Sequence, residues 1–426
     1  MTIVVFLVAL LGGMLIGMPI AFALLLSAVA MMFQLDQFQP GVVALRLING
    51  ANSFTLLAVP FFLLAGEVMN VGGLSKRIVK VAMALVGHKR GGLGYVAIVA
   101  SCLLASLSGS AVADAAALAT LLVPMMTSAG HAQGRSVGLV AAGGFIGPII
   151  PPSIPFVLFG VVGGVSISKL FLAGIAPGIL MGAGLAIAWW WLARNEDHAM
   201  HAKQTWGDVG RALADGIWAL FLPAIIILGL KFGIFTPTEA AVVAAVYSLF
   251  VAIFIYRELK ISQLFEVFVT AAKSTGVVMF LVAAALVAAY FITIADLPSQ
   301  VVELLRPVMG NQTLLLLSIM AILFAVGCAM DLTPIVLILT PVLLPVVKQA
   351  GIDPIYFGVL CVVCGSIGLI TPPVGTVLNV VAGATKTSMG TVVKGVLPFL
   401  LAHTVVLLLL VFFPALVTVP AKWFAG

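Results

Sequence analysis

Two carboxylates of this sequence lie inside apolar stretches, where a charge is costly. Asp114 follows the polar triplet Ser108-Gly109-Ser110, and Asp331 is followed by Thr333 and Pro334. An ionisable side chain at membrane depth is a candidate for binding an ion or a polar substrate. No basic residue lies near Asp331 in the sequence, so we predict a binding role for Asp331. Asp114 either contacts an ion or stabilises its own segment.

Paired prolines interrupt two further apolar blocks and indicate related chemistry. Pro151-Pro152 and Pro372-Pro373 lie within these breaks, and a proline leaves a carbonyl of the preceding turn without its helical donor. In lipid such carbonyls need a partner, and a sodium ion held by several oxygens would serve. One such irregularity would be ordinary packing, because glycine and proline are common in membrane helices. The two polar tips and the two proline breaks make four at related positions, which favours ion binding. The predicted sodium ligands are Ser106, Ser108, Gly109, Ser110, Gly147 and Pro148 in a first group, and Gly327, Met330, Asp331, Thr333, Gly368 and Thr371 in a second.

The space between the two groups suits an anion. Half-helix N-termini that meet there would direct partial positive charge inwards. No arginine lies near either polar tip, so backbone donors, hydroxyl groups and an amide would hold a carboxylate. Asn379 is either such a contact or an interhelical hydrogen bond. The predicted substrate contacts are Ser110, Asp114, Ser153, Thr333, Thr376 and Asn379.

Composition indicates which elements position these residues. Of 426 residues, 63% are hydrophobic and 8% are charged, against about 25% charged in a soluble domain. The apolar runs are long and continuous, which predicts an all-α polytopic membrane protein rather than the alternating strands of a β-barrel. The net charge of +6 comes from basic residues scattered through short loops, which argues against a nucleic-acid partner.

The remaining polar motifs have simpler structural interpretations. Cys361 and Cys364 form a CxxC with no second pair and no nearby histidine, so we expect helix packing, no transition-metal site and no cofactor beyond sodium. Glu239 follows Thr236-Pro237-Thr238 and is expected to cap a helix, whereas Glu67 is expected to lie at an interface.

Short apolar arms around polar tips predict two re-entrant helical hairpins, because each arm is too short to cross a bilayer of about 30 Å. We expect about nine full spans in addition to the hairpins, and a single first helix over 2–33. The hairpins are expected at 92–128 and 313–347, and the broken helices at 136–167 and 355–383. These would form two transport-domain halves, 92–170 and 313–390, between scaffold and arm regions at 1–91 and 171–312 and a C-terminal scaffold helix at 391–426.

The hairpins and breaks belong to an internal repeat. Pro124 and Pro345 are 221 positions apart, and the same shift aligns Gly147 with Gly368 and one proline pair with the other. Chance would match a few glycines, but not two hairpins and two Pro-Pro breaks in the same order. The chain is therefore predicted to be duplicated.

Charge orients the two halves. Residues 74–91 carry five basic residues and no acidic one, whereas the equivalent stretch 296–312 carries Asp296, Glu303 and a single Arg306. By the positive-inside rule the first stretch is cytoplasmic and the second external. Equivalent loops on opposite faces mean inverted-topology repeats, and with broken helices at the midplane they indicate a secondary transporter.

At these residues the chain resembles a known family. The matching stretches are Ser106-Leu-Ser-Gly-Ser-Ala-Val-Ala-Asp114, Gly144-Phe-Ile-Gly-Pro-Ile-Ile-Pro-Pro-Ser153, Thr236-Pro-Thr-Glu-Ala-Ala241 and Gly365-Ser-Ile-Gly-Leu-Ile-Thr-Pro-Pro-Val-Gly375. Through them the chain resembles, over essentially its whole length, the large membrane subunit of the tripartite ATP-independent periplasmic (TRAP) transporters. The resemblance implies a sodium-driven, elevator-type importer of small organic acids in the bacterial inner membrane, with its sodium positions in the two groups above.

The resemblance also implies partners. They are a small four-helix membrane subunit and a periplasmic substrate-binding protein that delivers the ligand. The sequence ends without a small-subunit portion, so we expect that subunit on a separate chain.

Two other functions stay open from the sequence. A divalent-anion/sodium symporter of similar inverted-repeat design would transport without partners. An intramembrane serine protease would need a histidine at depth beside the first polar tip. His131 and His403 are the candidates, but neither lies in a matching motif, so we expect no enzyme.

Overall fold

All regular secondary structure in the described part of the chain is helical. The computed structural model describes residues 2–36, 38–194 and 204–425, apart from the side chains of Leu107, Ser108 and Ala425. Apolar segments form helices because a helix satisfies its own backbone hydrogen bonds, as lipid requires. The α-helices are α1 (Thr2–Leu15), α2 (Ile20–Gln34), α3 (Pro40–Ala51), α4 (Ala58–Val71), α5 (Leu74–Val86), α6 (Gly92–Ser108), α7 (Ala111–Ser128), α8 (Gln133–Gly144), α9 (Ile154–Gly163), α10 (Ile167–Ala193), α11 (Trp206–Lys231), α12 (Pro237–Phe250), α13 (Leu264–Ile294), α14 (Leu297–Leu305), α15 (Gln312–Gly327), α16 (Leu332–Gln349), α17 (Pro354–Gly368), α18 (Thr376–Thr385), α19 (Met389–Phe412) and α20 (Ala415–Ala425).

The first apolar block forms two helices, so the prediction of a single first helix is wrong. Gly17 has a φ of +83°, and Pro19 immediately precedes α2. Glycine adopts this left-handed conformation without strain, and proline cannot continue the hydrogen bonds of α1. The chain therefore turns back at residues 16–19, and α1 packs along α2.

The C-terminal region also differs from the single helix expected over 391–426. Helix α19 ends at Phe412, and α20 begins at Ala415. Phe413 precedes Pro414 and has φ −123° and ψ 75°, because the residue before a proline is pushed out of the helical region. Helix α20 then packs against α10.

Two hairpins and two broken helices occupy the four stretches around the polar tips and proline pairs. Helices α6 and α7 meet at Gly109-Ser110, and α15 and α16 meet at residues 328–331. Residues 145–153 separate α8 from α9, and residues 369–375 separate α17 from α18. Helices α7 and α16 each have 18 residues, and their first residues, Ala111 and Leu332, are again 221 positions apart.

The two halves pack reciprocally. Helix α7 packs on α18, and α16 packs on α9. The equivalent helices α8 and α17 start at opposite ends of α10. Gly358 of α17 adjoins Leu170 in the first turn of α10, whereas His131, just before α8, lies against Trp189 near the other end of α10, with ring centroids 5.3 Å apart.

Among the described residues, eight helical stretches are long and apolar enough to cross a membrane. They include the second hairpin arms, Ala111–Ser128 and Leu332–Gln349. Length alone therefore does not separate crossings from hairpin arms, and the expected nine spans stay a prediction. The chain is nevertheless a polytopic all-α membrane protein.

An ionic cluster joins α5 to α11 and to the segment after α12. Arg77 Nη1 lies 2.6 Å from Glu258 Oε1, and Arg77 Nε lies 3.2 Å from Asp215 Oδ1. The guanidinium also lies 3.7 Å from the centre of the Tyr256 ring. Burial alone would lower the pKa of Arg77, but the hydrogen bonds to the two carboxylates outweigh burial and raise it. The cluster thus fixes α5, the helix that leads into the first hairpin.

We predict that Gly138→Ala destabilises the fold. Gly138 of α8 lies directly against the backbone of Gly395 of α19, so an added methyl group would force the helices apart at a cost of about 1–3 kcal/mol. The melting temperature of the purified protein in detergent should fall. Gly390→Ala is the matched control, because nothing lies within 4 Å of a Cβ there. Equal shifts for the two variants would contradict the packing argument.

Candidate functional site

The tip of the first hairpin lies against the first break. Gly109 ends α6 with a φ of +61°, and a Cβ on Gly109 would lie 2.5 Å from the Pro152 carbonyl oxygen. Both the left-handed conformation and the close approach require glycine. Ser110 caps α7, since its Oγ accepts a hydrogen bond from Ala113 N at 3.4 Å. Of the predicted ligands here, the Ser108 side chain lies outside the described residues.

Within the first break, a serine hydroxyl group forms a hydrogen bond to a backbone carbonyl of the same break. Ser153 is fully buried, and its Oγ donates a hydrogen bond to the Pro148 carbonyl and accepts one from Phe156 N at 3.3 Å. The structure therefore pairs Pro148, a predicted sodium ligand, with Ser153, a predicted substrate contact. A carbonyl oxygen has two lone pairs, so Pro148 retains one for a cation.

Asp114 faces this break from the second arm of the hairpin. Its side chain is 3% exposed, and a Cβ on Gly147 would lie 2.7 Å from Asp114 Oδ2. Glycine at 147 thus leaves the space that the carboxylate occupies. Ser106 is also buried, but its hydroxyl donates to the Leu103 carbonyl at 2.6 Å within the same helix. The first group therefore has one carboxylate facing a break in the chain.

The second hairpin meets the second break through backbone atoms. A Cβ on Gly368 would lie 2.5 to 2.7 Å from the Cα, C and O atoms of Gly327. Val374 N also donates a hydrogen bond to the Cys328 carbonyl at 3.3 Å. Thr371 Oγ1 donates to the Ile367 carbonyl at 2.8 Å, and so satisfies one carbonyl near the break. Gly327 and Gly368, predicted as a pair of ligands, are thus in direct contact.

Asp331 caps α16 at the tip of the second hairpin. Its Oδ1 accepts a hydrogen bond from Leu332 N at 2.9 Å, and within the described residues its Oδ2 accepts none. Asp331 and Thr333 line a cavity of about 590 Å³. Its opposite wall comes from Pro19, from the first turn of α2, and from residues 276–278, 280 and 281 of α13. A cavity of this size holds a small organic molecule. Sequence reasoning missed the α2 wall, although Gly17 and Pro19 were the signal for it.

The other predicted residues lie around the second break. Met330 is buried at the tip. Thr376 Oγ1 is buried and has no hydrogen-bond partner among the described residues. Asn379 Nδ2 donates to the Val374 carbonyl at 2.8 Å, so this hydrogen bond lies within the break and is not interhelical. Thr376 and Asn379 thus flank the break from the first turn of α18.

The two carboxylates are not equivalent in the repeat. The shift of 221 places Ser110 opposite Asp331, and Asp114 opposite Ile335. Each tip-and-break pair therefore has one carboxylate, at the tip in the second half and one turn into the helix in the first.

The remaining acidic residues and the buried histidine singled out in the sequence lie outside the two tip-and-break pairs. Glu239 forms a capping box with Thr236, with Glu239 Oε2 accepting from Thr236 N at 2.8 Å, as expected. Glu67 is half-buried on α4 and forms no ion pair within the described residues.

His403 is fully buried, and its Nε2 lies 3.0 Å from the Ala142 carbonyl oxygen. Its ring centroid lies 4.0 Å from that of Phe145, so His403 packs between α19 and the end of α8.

Comparison with known proteins assigns the chain to a family. The family described as "Tripartite ATP-independent periplasmic transporter, DctM component" matches residues 7–416. The 2,3-diketo-L-gulonate TRAP transporter large permease protein of Escherichia coli (strain K12) is 57% identical over 99% of this chain and 100% of its own length. The sialic acid TRAP transporter large permease protein of Vibrio cholerae is 36% identical over 98% and 97%. The C4-dicarboxylate TRAP transporter large permease protein of Pseudomonas aeruginosa is 36% identical over 89% of each chain.

The fold and the match define a transporter permease, a multi-pass protein of the bacterial inner membrane and not an enzyme. In particular, the chain belongs to the DctM family of large TRAP transporter permeases. The resemblance seen in the sequence motifs is confirmed, and the protease hypothesis is wrong.

We predict that Gly368→Ala strongly reduces substrate uptake. The added methyl group would separate the second break from Gly327, at a cost above about 1.4 kcal/mol, which corresponds to a loss of tenfold or more. The loss is measured as substrate uptake into proteoliposomes that contain the variant together with its partner proteins. Gly383→Ala is the control in the same half, because its Cβ would have open space. Normal uptake by Gly368→Ala would show that this contact is dispensable.

Proposed function

We propose that this chain imports a small organic acid together with sodium ions. The observation that carries the proposal is the pairing of each hairpin tip with a broken helix, with one carboxylate at each pair. Gly109 lies on the first break and Gly327 on the second. Carbonyl groups at such breaks and a nearby carboxylate are the oxygen ligands that hard cations prefer. The first sodium site would use Asp114, and the second Asp331.

The substrate is proposed from chemistry and from the relatives' names. The relatives are named for 2,3-diketo-L-gulonate, sialic acid and C4-dicarboxylates, all of which carry a carboxylate. No arginine is close to either tip along the sequence, so backbone donors of the half-helices would hold that carboxylate. A keto sugar acid is the first substrate to test, because the diketogulonate relative is 57% identical. Ser110, Ser153, Thr333, Thr376 and Asn379 are the proposed polar contacts.

An elevator movement is the proposed mode of transport. The two hairpins and two broken helices pack on one another across the halves, α7 on α18 and α16 on α9. In a second set, α13 packs on α2, α3 and α4, and α12 packs on α4. The two sets meet where α13 packs on α16 and α4 packs on α6. The cavity at Asp331 lies between these two sets. We therefore assign the first set to a moving domain and the second to a fixed scaffold.

The orientation and partners complete the proposal. Because α8 and α17 start at opposite ends of α10, the repeats are proposed to be inverted, with the basic residues 74–91 on the cytoplasmic face. The family is described as tripartite. We propose that a small membrane subunit and a periplasmic binding protein are required for import.

Asp331→Asn tests the sodium assignment. Loss of the charge should raise the sodium concentration for half-maximal uptake at least about tenfold, since a charge-assisted contact contributes roughly 1.5–3 kcal/mol. The measurement is sodium-dependent uptake of 2,3-diketo-L-gulonate into proteoliposomes that contain this chain with the small membrane subunit and are supplied with the loaded binding protein.

Glu67→Gln is the control for this test, because Glu67 is a second half-buried carboxylate of the membrane region, on α4. Its sodium dependence should stay within a factor of about two of the wild type. Equal effects of the two substitutions would remove Asp331 from the sodium site.

Reconstitution with and without partners separates this proposal from a symporter that works alone. We predict no sodium-driven uptake by this chain by itself, and uptake once the small membrane subunit and the loaded binding protein are added. The binding protein added without the small subunit controls for unspecific delivery. Uptake by the single chain would establish the stand-alone symporter instead.

A further inference from the structure

A cavity of about 570 Å³ opens where α10, α17 and α20 meet, outside the site described above. Its wall contains two lysines, Lys169 in the first turn of α10 and Lys422 in the last turn of α20, together with Asp353. The other end of α10 lies beside Gly91, whose carbonyl accepts a hydrogen bond from Trp189 Nε1 at 2.8 Å. The cavity is therefore on the face of the protein opposite the basic stretch 74–91.

The charges in this wall are unbalanced. Asp353 caps α17, with Oδ1 accepting from Ile355 N at 2.7 Å and Tyr356 N at 2.9 Å. Neither Lys169 nor Lys422 forms an ion pair within the part of the chain that the structure describes. Two ammonium groups and one carboxylate leave one net positive charge, which a single monovalent anion would neutralise.

The hydroxyl groups of the cavity are already bound to the protein. Tyr356 Oη donates to the Leu410 carbonyl at 2.8 Å, and Thr418 Oγ1 donates to the Pro414 carbonyl at 3.1 Å. The lysines are therefore the groups that remain to bind an anion. Lysines on this face also run against the positive-inside rule, so a local partner would explain their convergence.

Helix α20 has the surface of a helix at a membrane boundary. Trp423 is 69% exposed and Val419 is 61% exposed. A third lysine, Lys231 at the end of α11, lies 4.5 Å from the centre of the Trp423 ring. Aromatic rings beside basic side chains are typical of the level at which lipid headgroups meet acyl chains. An anion at this level is most simply a lipid phosphate.

We propose that this cavity, the outer lysine site, binds the headgroup of an anionic phospholipid. Lys169 and Lys422 would hold the phosphodiester, and the exposed side of α20 would lie against the acyl chains. The phosphodiester carries the one negative charge that the wall lacks. Assignment to the outer leaflet rests on the orientation proposed above, but lipid binding does not require transport and is tested without it.

The test compares lipids on the full-length purified protein. The wild type is delipidated and returned to phosphatidylcholine alone or to equal parts of phosphatidylcholine and phosphatidylglycerol. Retained phosphatidylglycerol is counted by native mass spectrometry, and the melting temperature is recorded. We expect phosphatidylglycerol to be retained and to raise the melting temperature. The double substitution Lys169→Gln/Lys422→Gln should weaken phosphatidylglycerol binding about tenfold or more.

Two controls keep the proposal open to contradiction. Lys169→Arg/Lys422→Arg preserves charge and should retain the lipid, which separates charge from general damage to the fold. Lys348→Gln removes an exposed lysine at the end of α16, outside the cavity, and should bind phosphatidylglycerol like the wild type. Equal stabilisation by the two lipid compositions, or equal loss in Lys348→Gln, would overturn the proposal.

Other anionic partners give different outcomes. If glycerol phosphate in detergent protects the wild type as well as the lipid does, the site binds a soluble anion and the lipid assignment is wrong. If the double substitution leaves lipid binding unchanged but raises the binding-protein concentration needed for uptake, the lysines belong to a protein docking surface. Failure of the transport proposal would leave the lipid measurements unaffected.

Discussion

Lipid offers no hydrogen-bond partner to a broken helix, and this constraint shapes the centre of the protein. The chain is interrupted between α8 and α9 and between α17 and α18, and each interruption frees carbonyl and amide groups that must be covered in an apolar surrounding. A hairpin tip covers each one. Gly109 lies on the Pro152 carbonyl, Gly327 lies on Gly368, and Val374 N donates to the Cys328 carbonyl. The hairpins, the glycines and the close packing of the two halves follow from the need to enclose polar backbone.

The two pairs of hairpin and broken helix share their backbone arrangement but differ in the position of their carboxylates. The shift of 221 keeps glycine at both 147 and 368, because a side chain larger than hydrogen would collide with the Asp114 carboxylate at the first position and with the Gly327 backbone at the second. It does not preserve the carboxylates, since Asp114 corresponds to Ile335 and Asp331 to Ser110. The two tip-and-break pairs thus share their glycines, while the position of the carboxylate differs between the two proposed cation sites.

Much of this could be predicted along the chain. The polar tips, the proline pairs and the capping box at Thr236 and Glu239 are local signals, and local hydrogen bonds decide them. The turn at Gly17 to Pro19 carries an equally local signal, but the uncharged run around it favoured one long helix. The hydrogen-bond partners of the polar side chains could not be predicted. Ser153 bonds Pro148 and Asn379 bonds Val374 within their own breaks, and such choices depend on the exact backbone path.

The sequence by itself determined the class of protein, the helical segments between the two terminal regions, and the positions of the two tips and two breaks. These follow from hydrophobic run length, proline and glycine, all of which act over a few residues. Only the tertiary structure decided that α2 and α13 face Asp331 across a cavity, and that Lys169 and Lys422 converge although they are far apart in the chain. Such pairings depend on how helices cross and pack, because a helix fixes its own hydrogen bonds but not its neighbours.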